Sequence, residues 1–153
     1  MFTAQLDQLD LFESWTQEDP QIASKSAIAL SSREGSASTQ VFYIVCEPHK
    51  RIGRHVHSAE EVLLVLEGTA EVSVGDERAR LSVGAMALIP AGVPHEPINV
   101  GSDTLRCVGY LSSATALHTW EVSLMPMEST TFVTPPAEEG SIRVREDQRP
   151  RRP

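Results

Sequence analysis

The chain has 153 residues, of which 41% are apolar, so it can bury one good core but is too short for two. Its formal net charge of -8 argues against general nucleic-acid binding, which depends on lysine and arginine neutralising phosphates. It has no run of eighteen apolar residues and no basic-then-apolar start, so neither a membrane span nor a secretory signal is indicated, and we expect a soluble cytoplasmic protein.

Residues 1–20 form an acidic leader. Leu6, Leu9 and Phe12 follow one another at steps of three, which predicts a short amphipathic helix. We expect an ordinary packed terminal helix; the alternatives are a cover over one open end of the fold or a contact with a partner subunit. The leader has no basic residue and five acids, namely Asp7, Asp10, Glu13, Glu18 and Asp19.

Between the ends of the chain the pattern is that of strands. Turn signals at Gly68, Gly75, Gly84 and Gly101 separate short runs rich in Val, Ile, Leu, Tyr and Phe. This spacing indicates a sandwich or barrel, and an all-β antiparallel jelly roll within a single domain, residues 21–133, satisfies it. The predicted strands are 39–46, 61–66, 69–74, 79–83, 85–89 and 104–112.

A set of three histidines and a glutamate carries the functional signal. In a strand, side chains at i and i+2 point to the same face, so His55 and His57 can converge on one point. Glu61 lies at a further even offset, and His95 must come from a different strand. His95 follows the turn 90–94, whose glycine and prolines would deliver it rigidly. The set predicts a metal site.

The types of ligand narrow the choice of metal. Imidazole suits Zn, Cu, Fe and Ni, and a carboxylate extends the range toward Mn, so we expect one divalent transition metal ion, Fe, Mn, Ni, Cu or Zn. Four protein ligands leave coordination positions open, which is typical of a catalytic site. Cys46 and Cys107 lack the spacing of a metal motif and are expected to be buried apolar residues or, alternatively, a reactive pair.

Two segments resemble the paired motifs of the cupin superfamily, in its single-domain, metal-binding form. The first motif is matched by His55, His57, Glu61 and Gly68, with one, three and six intervening residues. The second motif is matched by Gly84, Pro90, Gly92, His95 and Asn99, with five, one, two and three intervening residues. The position of the family's opening glycine is occupied by His49. The resemblance covers about residues 40 to 112.

The resemblance implies an antiparallel double-stranded β-helix, the jelly-roll barrel of cupins. It also implies that His55, His57, Glu61 and His95 bind the metal, and that the chain forms a homodimer. It leaves the reaction open, because cupins include dioxygenases, isomerases, lyases, decarboxylases, cyclases and sugar-binding domains. Asn99 is expected to make a structural hydrogen bond.

The two segments after the last predicted strand are less informative. His118 and Trp120 are separated by an even offset and would share a strand face, where we expect a packing role rather than contact with a substrate. Residues 134–153 are rich in proline and charge with few apolar residues, and are predicted to be a disordered tail.

The leading functional hypothesis is a quercetinase-like dioxygenase that acts on a small hydrophobic or aromatic enol or phenol, with Glu61 as both ligand and general base. The alternatives are a Zn-dependent polyketide cyclase, isomerase or lyase, and a non-catalytic small-molecule-binding domain. Sugar phosphates are disfavoured because Lys25 and Lys50 are the only lysines. An apolar pocket is expected from Val41, Tyr43, Leu63, Val65, Met86 and Leu88.

Overall fold

In the computed structural model, residues 1–137 are described, and they form an all-β fold. The strands are β1 Phe12–Trp15, β2 Ala23–Leu30, β3 Gln40–Cys46, β4 His55–His57, β5 Glu61–Glu67, β6 Ala70–Val74, β7 Glu77–Leu81, β8 Met86–Ile89, β9 His95–Asn99, β10 Leu105–Leu111, β11 Ala116–Leu124 and β12 Ser129–Thr134. The helical turns are two 3-10 segments, Leu6–Gln8 and Ser32–Glu34.

The strands form two sheets of six. One sheet has the order β1-β2-β3-β10-β5-β8 and the other β12-β11-β4-β9-β6-β7, and all neighbouring strands are antiparallel. This confirms the predicted jelly roll. The sheets do not close into a barrel, however. No continuous ladder of described strands joins one sheet to the other, and isolated bridges such as that between Trp15 and Met125 are found there instead.

The predicted strands agree with the observed ones to within two residues at each end. Strands β1, β2 and β12 were not predicted, while β4, β9 and β11 were expected only as strands of unstated length around His55, His95 and His118. Strand β2, with the sequence A-S-K-S-A-I-A-L, shows why: serine, alanine and lysine have weak β preference, and the segment is extended because it pairs with β1 and β3.

The acidic leader does not form the predicted amphipathic helix. Its helical part is the single turn Leu6–Gln8, and the chain is extended again from Phe12. Two interactions explain the difference. Leu6, Leu9 and Leu11 pack on the outer face of the first sheet beside Tyr43, and Phe12–Trp15 pairs with β2, so its backbone hydrogen bonds go to a neighbouring strand.

The turn before β4 has a residue in the left-handed conformation at the position of the motif's opening glycine. His49 takes its place and adopts a positive φ of 63°, while the N–H of Lys50 donates to the carbonyl of Glu47 at 3.1 Å. A left-handed conformation is uncommon for residues other than glycine, although histidine is one of the types that adopt it more often. The departure from the motif therefore leaves the turn intact.

The predicted tail, residues 134–153, starts too early. Thr134 ends β12 and is buried, because its hydroxyl is hydrogen bonded to two side chains of the interior. From residue 138 onward the predicted tail lies outside the described residues.

The outer face of edge strand β8 carries two exposed apolar side chains, Met86 and Leu88. Homodimer formation would cover such an edge. It stays a prediction, which sedimentation velocity of the purified chain would test: a single species of monomer mass would contradict it. Within residues 1–137, no helix is long and apolar enough to span a membrane.

Candidate metal centre

Three histidines meet between the two sheets. His55 and His57 lie on β4 and His95 lies on β9, where His55 and His95 are paired across the ladder. One ligand atom from each ring lies within 4.8 Å of the others, and all three side chains are buried. The expected convergence of His55 and His57, joined by His95 from a different strand, is confirmed.

Two of the three rings are oriented by their own loops. Nδ1 of His55 donates to the carbonyl of Gly53 at 2.7 Å, and Nδ1 of His95 donates to the carbonyl of Val93 at 3.0 Å when each carries the proton. In that tautomer Nε2 has a free lone pair. Gly53 makes its turn at a φ of 90°, a conformation that favours glycine.

Glu61 reaches two of the three histidines from the facing sheet. It opens β5, and its Oε2 lies 3.1 Å from Nε2 of His57 and 3.3 Å from Nε2 of His95. The even offset between His57 and Glu61 predicted that they share a strand face. This is wrong, because a turn at Ser58–Glu60 carries the chain into the other sheet. The carboxylate nevertheless arrives at the predicted cluster.

Gly109 on β10 makes room for that carboxylate. A Cβ atom built on Gly109 would overlap Oε1 of Glu61, so the carboxylate would have to move. Glycine is favoured here by this close approach, not by its backbone angle. The functional importance of Gly109 was not predicted, because its contact with Glu61 depends on the pairing of β10 with β5.

The environment keeps Glu61 and His55 in the protonation states that a metal requires. Burial alone would raise the pKa of Glu61, but contacts with His57 and His95 lower it below the usual range of a carboxyl. Burial, followed by the neighbouring His95 and His57, lowers the pKa of His55 well below its ordinary value. A carboxylate and a neutral imidazole are the forms that bind a transition metal.

The chemistry of the donor set fits a metal ion. Among the buried side chains of residues 1–137, Nε2 of His95 is one of two polar atoms without a hydrogen-bond partner, although Oε2 of Glu61 lies 3.3 Å away. A buried polar atom without a partner costs free energy unless an ion or water occupies the position it faces. His55, His57 and His95 offer three ligand atoms that face one another, and Oε2 of Glu61 lies beside two of them.

Strand β11 places two further aromatic side chains against the cluster. Trp120 stacks on His55 with ring centroids 4.6 Å apart, and Nδ1 of His118 lies 2.7 Å from Nδ1 of His57. Burial lowers the pKa of His118 to about 3, so this ring is neutral. The expectation of a packing role omitted the contact with His57, since it depends on the pairing of β11 with β4.

The histidines line a cavity of about 750 Å³ between the sheets. Its walls are largely apolar, and Arg33 is the only lysine or arginine among the described residues that line it. The predicted lining is right for Leu63 but wrong for the other five residues. The apolar wall includes Leu9, Phe12, Ile28, Phe42, Ile44, Ile52, Leu63, Trp120, Leu124, Met127 and Phe132.

The register of two strands explains this error. On β3, Phe42 and Ile44 face the cavity, whereas Val41 and Tyr43 pack on the opposite face beneath the leader. On β8, Met86 and Leu88 point outward. A strand's alternation shows that it has two faces, but it does not show which of them faces the interior.

Other predicted roles are structural. Asn99 donates from Nδ2 to the carbonyls of Cys46 and Asp103, both at 2.9 Å, which confirms a structural hydrogen bond. Cys46 and Cys107 are free and lie in the apolar core, where burial raises the pKa of each thiol to about 12. These thiols are protonated at neutral pH and are not reactive nucleophiles.

Comparison with known proteins supports the same family. Residues 42–111 match the family model described as Cupin domain. No curated protein sequence matches the chain.

Solved structures show the same fold. A putative sugar phosphate isomerase from Acidithiobacillus ferrooxidans is 20% identical, with a TM-score of 0.60 over 78% of this chain and 80% of that one. The polyketide cyclase RemF from Streptomyces resistomycificus is 18% identical, with a TM-score of 0.60 over 72% and 78%. Oxalate decarboxylase from Lactobacillus farciminis is 18% identical, with a TM-score of 0.61 over 72% of this chain and 32% of that one. At these identities the likeness concerns the fold alone.

Proposed function

Because the chain carries a cupin domain over residues 42–111, we propose that it is a metal-dependent enzyme, a dioxygenase of the quercetinase-like kind that acts on a small hydrophobic or aromatic enol or phenol. One observation carries the proposal. The unpartnered Nε2 of His95 lies in a cluster of three buried histidines, and this cluster lines a large, mostly apolar cavity. When bound, Fe, Mn, Ni or Cu would supply Lewis acidity and redox chemistry.

The proposed ligands are the three histidines, each through Nε2, and Glu61 through Oε2. The rings of His55 and His95 are held by backbone carbonyls, so little side-chain entropy is lost when an ion binds. Glu61 contributes a negative charge, which reduces the net charge of the bound site and suits a divalent ion.

Glu61 is also the proposed general base. Its lowered pKa keeps it ionised at neutral pH, and the residue lines the cavity as well as touching two of the histidines. A substrate hydroxyl that entered the cavity next to the metal position would lie within reach of Glu61, whose carboxylate would accept the proton after Oε2 is released from the metal.

The cavity favours an apolar substrate. Phe42, Ile44 and Leu63 from one sheet face Trp120 and Phe132 from the other, and flat apolar walls of this kind suit an aromatic or otherwise hydrophobic molecule. A phosphorylated sugar would need several basic side chains, and within the described lining Arg33 is the one candidate.

A second candidate function is non-redox chemistry with Zn as a Lewis acid, in a cyclase, isomerase or lyase. The likeness to the polyketide cyclase RemF, which extends over most of both chains, favours this candidate at the level of the fold. The same four side chains would serve as ligands. The third candidate is a binding module without turnover, which the same cavity would allow.

Metal analysis combined with oxygen uptake separates these functions. The purified chain is stripped with a chelator, reloaded in parallel with Fe, Mn, Ni, Cu and Zn, and assayed for bound metal and for oxygen consumption with simple enols and phenols. Near-stoichiometric binding of a redox metal with oxygen consumption supports the dioxygenase, and the matched variant His95→Ala is expected to lose both. Activity with Zn alone would favour the second candidate, and no metal above trace would overturn the proposal.

A further inference from the structure

His57 differs from the other two histidines because its orientation depends on distant parts of the chain. We propose that His118, Thr134 and Gln40 form a hydrogen-bond relay that holds His57 with Nδ1 protonated and Nε2 directed to the metal position. The effect on metal affinity rests on the proposed function, whereas the orientation of His57 does not.

The relay is a continuous chain of four hydrogen bonds. Nδ1 of His57 lies 2.7 Å from Nδ1 of His118, and Nε2 of His118 is hydrogen bonded to Oγ1 of Thr134. Oγ1 of Thr134 lies 2.6 Å from Oε1 of Gln40, whose Nε2 lies 3.4 Å from the carbonyl of Ala114. The relay therefore begins at a candidate metal ligand and ends on the backbone.

The backbone end sets the direction of every bond. The carbonyl of Ala114 can only accept, so Gln40 donates to it with Nε2 and presents Oε1 to Thr134. The Thr134 hydroxyl must then donate to Oε1, and so it accepts the proton on Nε2 of His118.

The same reasoning fixes the tautomer of His57. His118 is 2% exposed, and burial without an ionised partner favours the neutral ring; with its proton on Nε2, donated to Thr134, its Nδ1 can only accept. Nδ1 of His57 therefore donates to it, which leaves Nε2 of His57 with a free lone pair. Oε2 of Glu61 lies 3.1 Å from that nitrogen and 3.3 Å from Nε2 of His95, so a cation bound there would interact with both the nitrogen lone pairs and the carboxylate.

Burial makes the relay stiff. His118, Thr134 and Gln40 are at most 6% exposed, so competition from solvent water is small. Losing one link would leave a buried polar group without a partner, which is costly, and the remaining members would re-orient to avoid this cost.

None of the relay residues lies in the matched cupin segment. Gln40 precedes it, at the start of β3, while His118 on β11 and Thr134 on β12 follow it. His55 and His95, in contrast, are oriented by carbonyls two residues earlier in the chain. The strands that flank the domain therefore complete the site.

The test measures the affinity of the metal-stripped full chain for Zn²⁺ by competition with a chromophoric chelator. His118→Phe removes the acceptor, and we expect it to weaken Zn²⁺ binding by about tenfold or more. His118→Asn keeps an oxygen near the position of Nδ1 and is the matched control, with a change of less than about threefold. Wild-type affinity in folded His118→Phe would overturn the proposal.

A second pair of variants covers the case in which His118→Phe does not fold. Thr134→Val has nearly the same shape but no hydroxyl, and we expect it to weaken Zn²⁺ binding by about three- to tenfold. Thr134→Ser keeps the hydroxyl and should bind within about twofold of the wild type. Equal affinities for the Val and Ser variants would contradict the relay.

A readout without metal separates this inference from the proposed function. In ¹⁵N NMR spectra of the stripped protein, we expect His57 to be protonated on Nδ1, and in Thr134→Val to shift toward the Nε2 tautomer that donates to Glu61. If the wild type binds no Zn²⁺ but shows the Nδ1 tautomer, the proposed function fails and the relay stands. An Nε2 tautomer of His57 in the wild type would overturn the relay.

Discussion

The two halves of the sandwich use the space between the sheets in opposite ways, and strand β5 passes through both. At one end of this strand Glu61 joins the three histidines beside the cavity, in the hollow half. Farther along the strand Val65 is fully buried against Val72 and Leu105, in the packed half. The same pair of sheets thus encloses an apolar core and a polar cluster.

The difference shows how stability and function are divided in this fold. Burying several ionisable groups together is unfavourable, and a stable apolar core must offset the cost. The packed half contains the apolar cluster around Val65 with two protonated thiols, while the hollow half holds His55, which has a strongly perturbed pKa, and an unpartnered nitrogen. Substitutions in the two halves should therefore affect different measurements.

The largest effect is expected in the hollow half. His95→Ala removes the unpartnered Nε2, and we expect metal affinity to fall by more than about a hundredfold while the metal-free chain stays folded. Elemental analysis and circular dichroism measure the two properties. Retention of metal at full occupancy would mean that His95 is not a ligand, and His49→Ala, outside the cluster, is the control that should keep its metal.

The packed half should respond in the opposite way. Leu105 is 1% exposed in the apolar core, so Leu105→Ala should lower the free energy of unfolding by about 2–5 kcal/mol. Metal affinity of the folded fraction should be unchanged, because Leu105 does not line the cavity. Urea denaturation checks the first value. The control Leu88→Ala, at an exposed position, should change it by less than about 0.5 kcal/mol.

Gly109 sharpens the boundary between the halves. Gly109→Ala would place a methyl group against Oε1 of Glu61, and the carboxylate must move, so we expect metal affinity to fall by about tenfold. Gly101→Ala is the matched control, since its methyl group would meet neighbours at ordinary contact distances of 3.5 Å or more. Equal metal affinities for these two variants would refute the role given to Gly109.

The pH dependence of stability tests the buried histidine of the relay. The pKa of His118 is about 3 in the folded chain, against an ordinary value of 6.5, so the unfolded chain binds more protons between these values. The free energy of unfolding contributed by His118 is therefore present above pH 6.5 and is lost as the pH falls through this window, by up to about 1.4 kcal/mol per pH unit.

His118→Asn removes this contribution, and its stability should decline less steeply than that of the wild type between pH 6 and pH 4. His55 and Glu61 have lowered pKa values too, and their contributions have the same sign, so some acid sensitivity should persist in the variant. Urea titrations at several pH values give both slopes. Parallel slopes would show that His118 is not buried in a neutral form.

The smallest effect is expected outside both halves, at the turn before β4. His49 has a positive φ of 63°, so His49→Gly should raise the free energy of unfolding by about 0.5–1 kcal/mol, since glycine adopts this conformation without a steric cost. His49→Ala keeps that cost and should not stabilise the fold. A stability gain in the alanine variant as well would point to the imidazole, not the backbone, as the source of strain.

Part of the site was predictable because its signal is local. His55 and His57 share a face through the two-residue period of a strand, and the turn before His95 could be recognised from its glycine and prolines. Glu61 was identified by residue type and motif spacing, and its strand was predicted, but the strand face that it was expected to share with His57 was wrong. Gly109, His118, Thr134 and Gln40 give no local signal, because each acts through a residue far away in the chain.

The amino-acid sequence by itself determined the all-β class, most strands of the central segment and the four candidate ligands, because periodicity and motif spacing are properties of neighbouring residues. Only the tertiary structure decided that the sheets stay open, that Phe42 and Ile44 rather than Val41 and Tyr43 face the cavity, and that His118 contacts His57. Register and strand order depend on which strands pair across the chain, and packing in three dimensions selects those pairs.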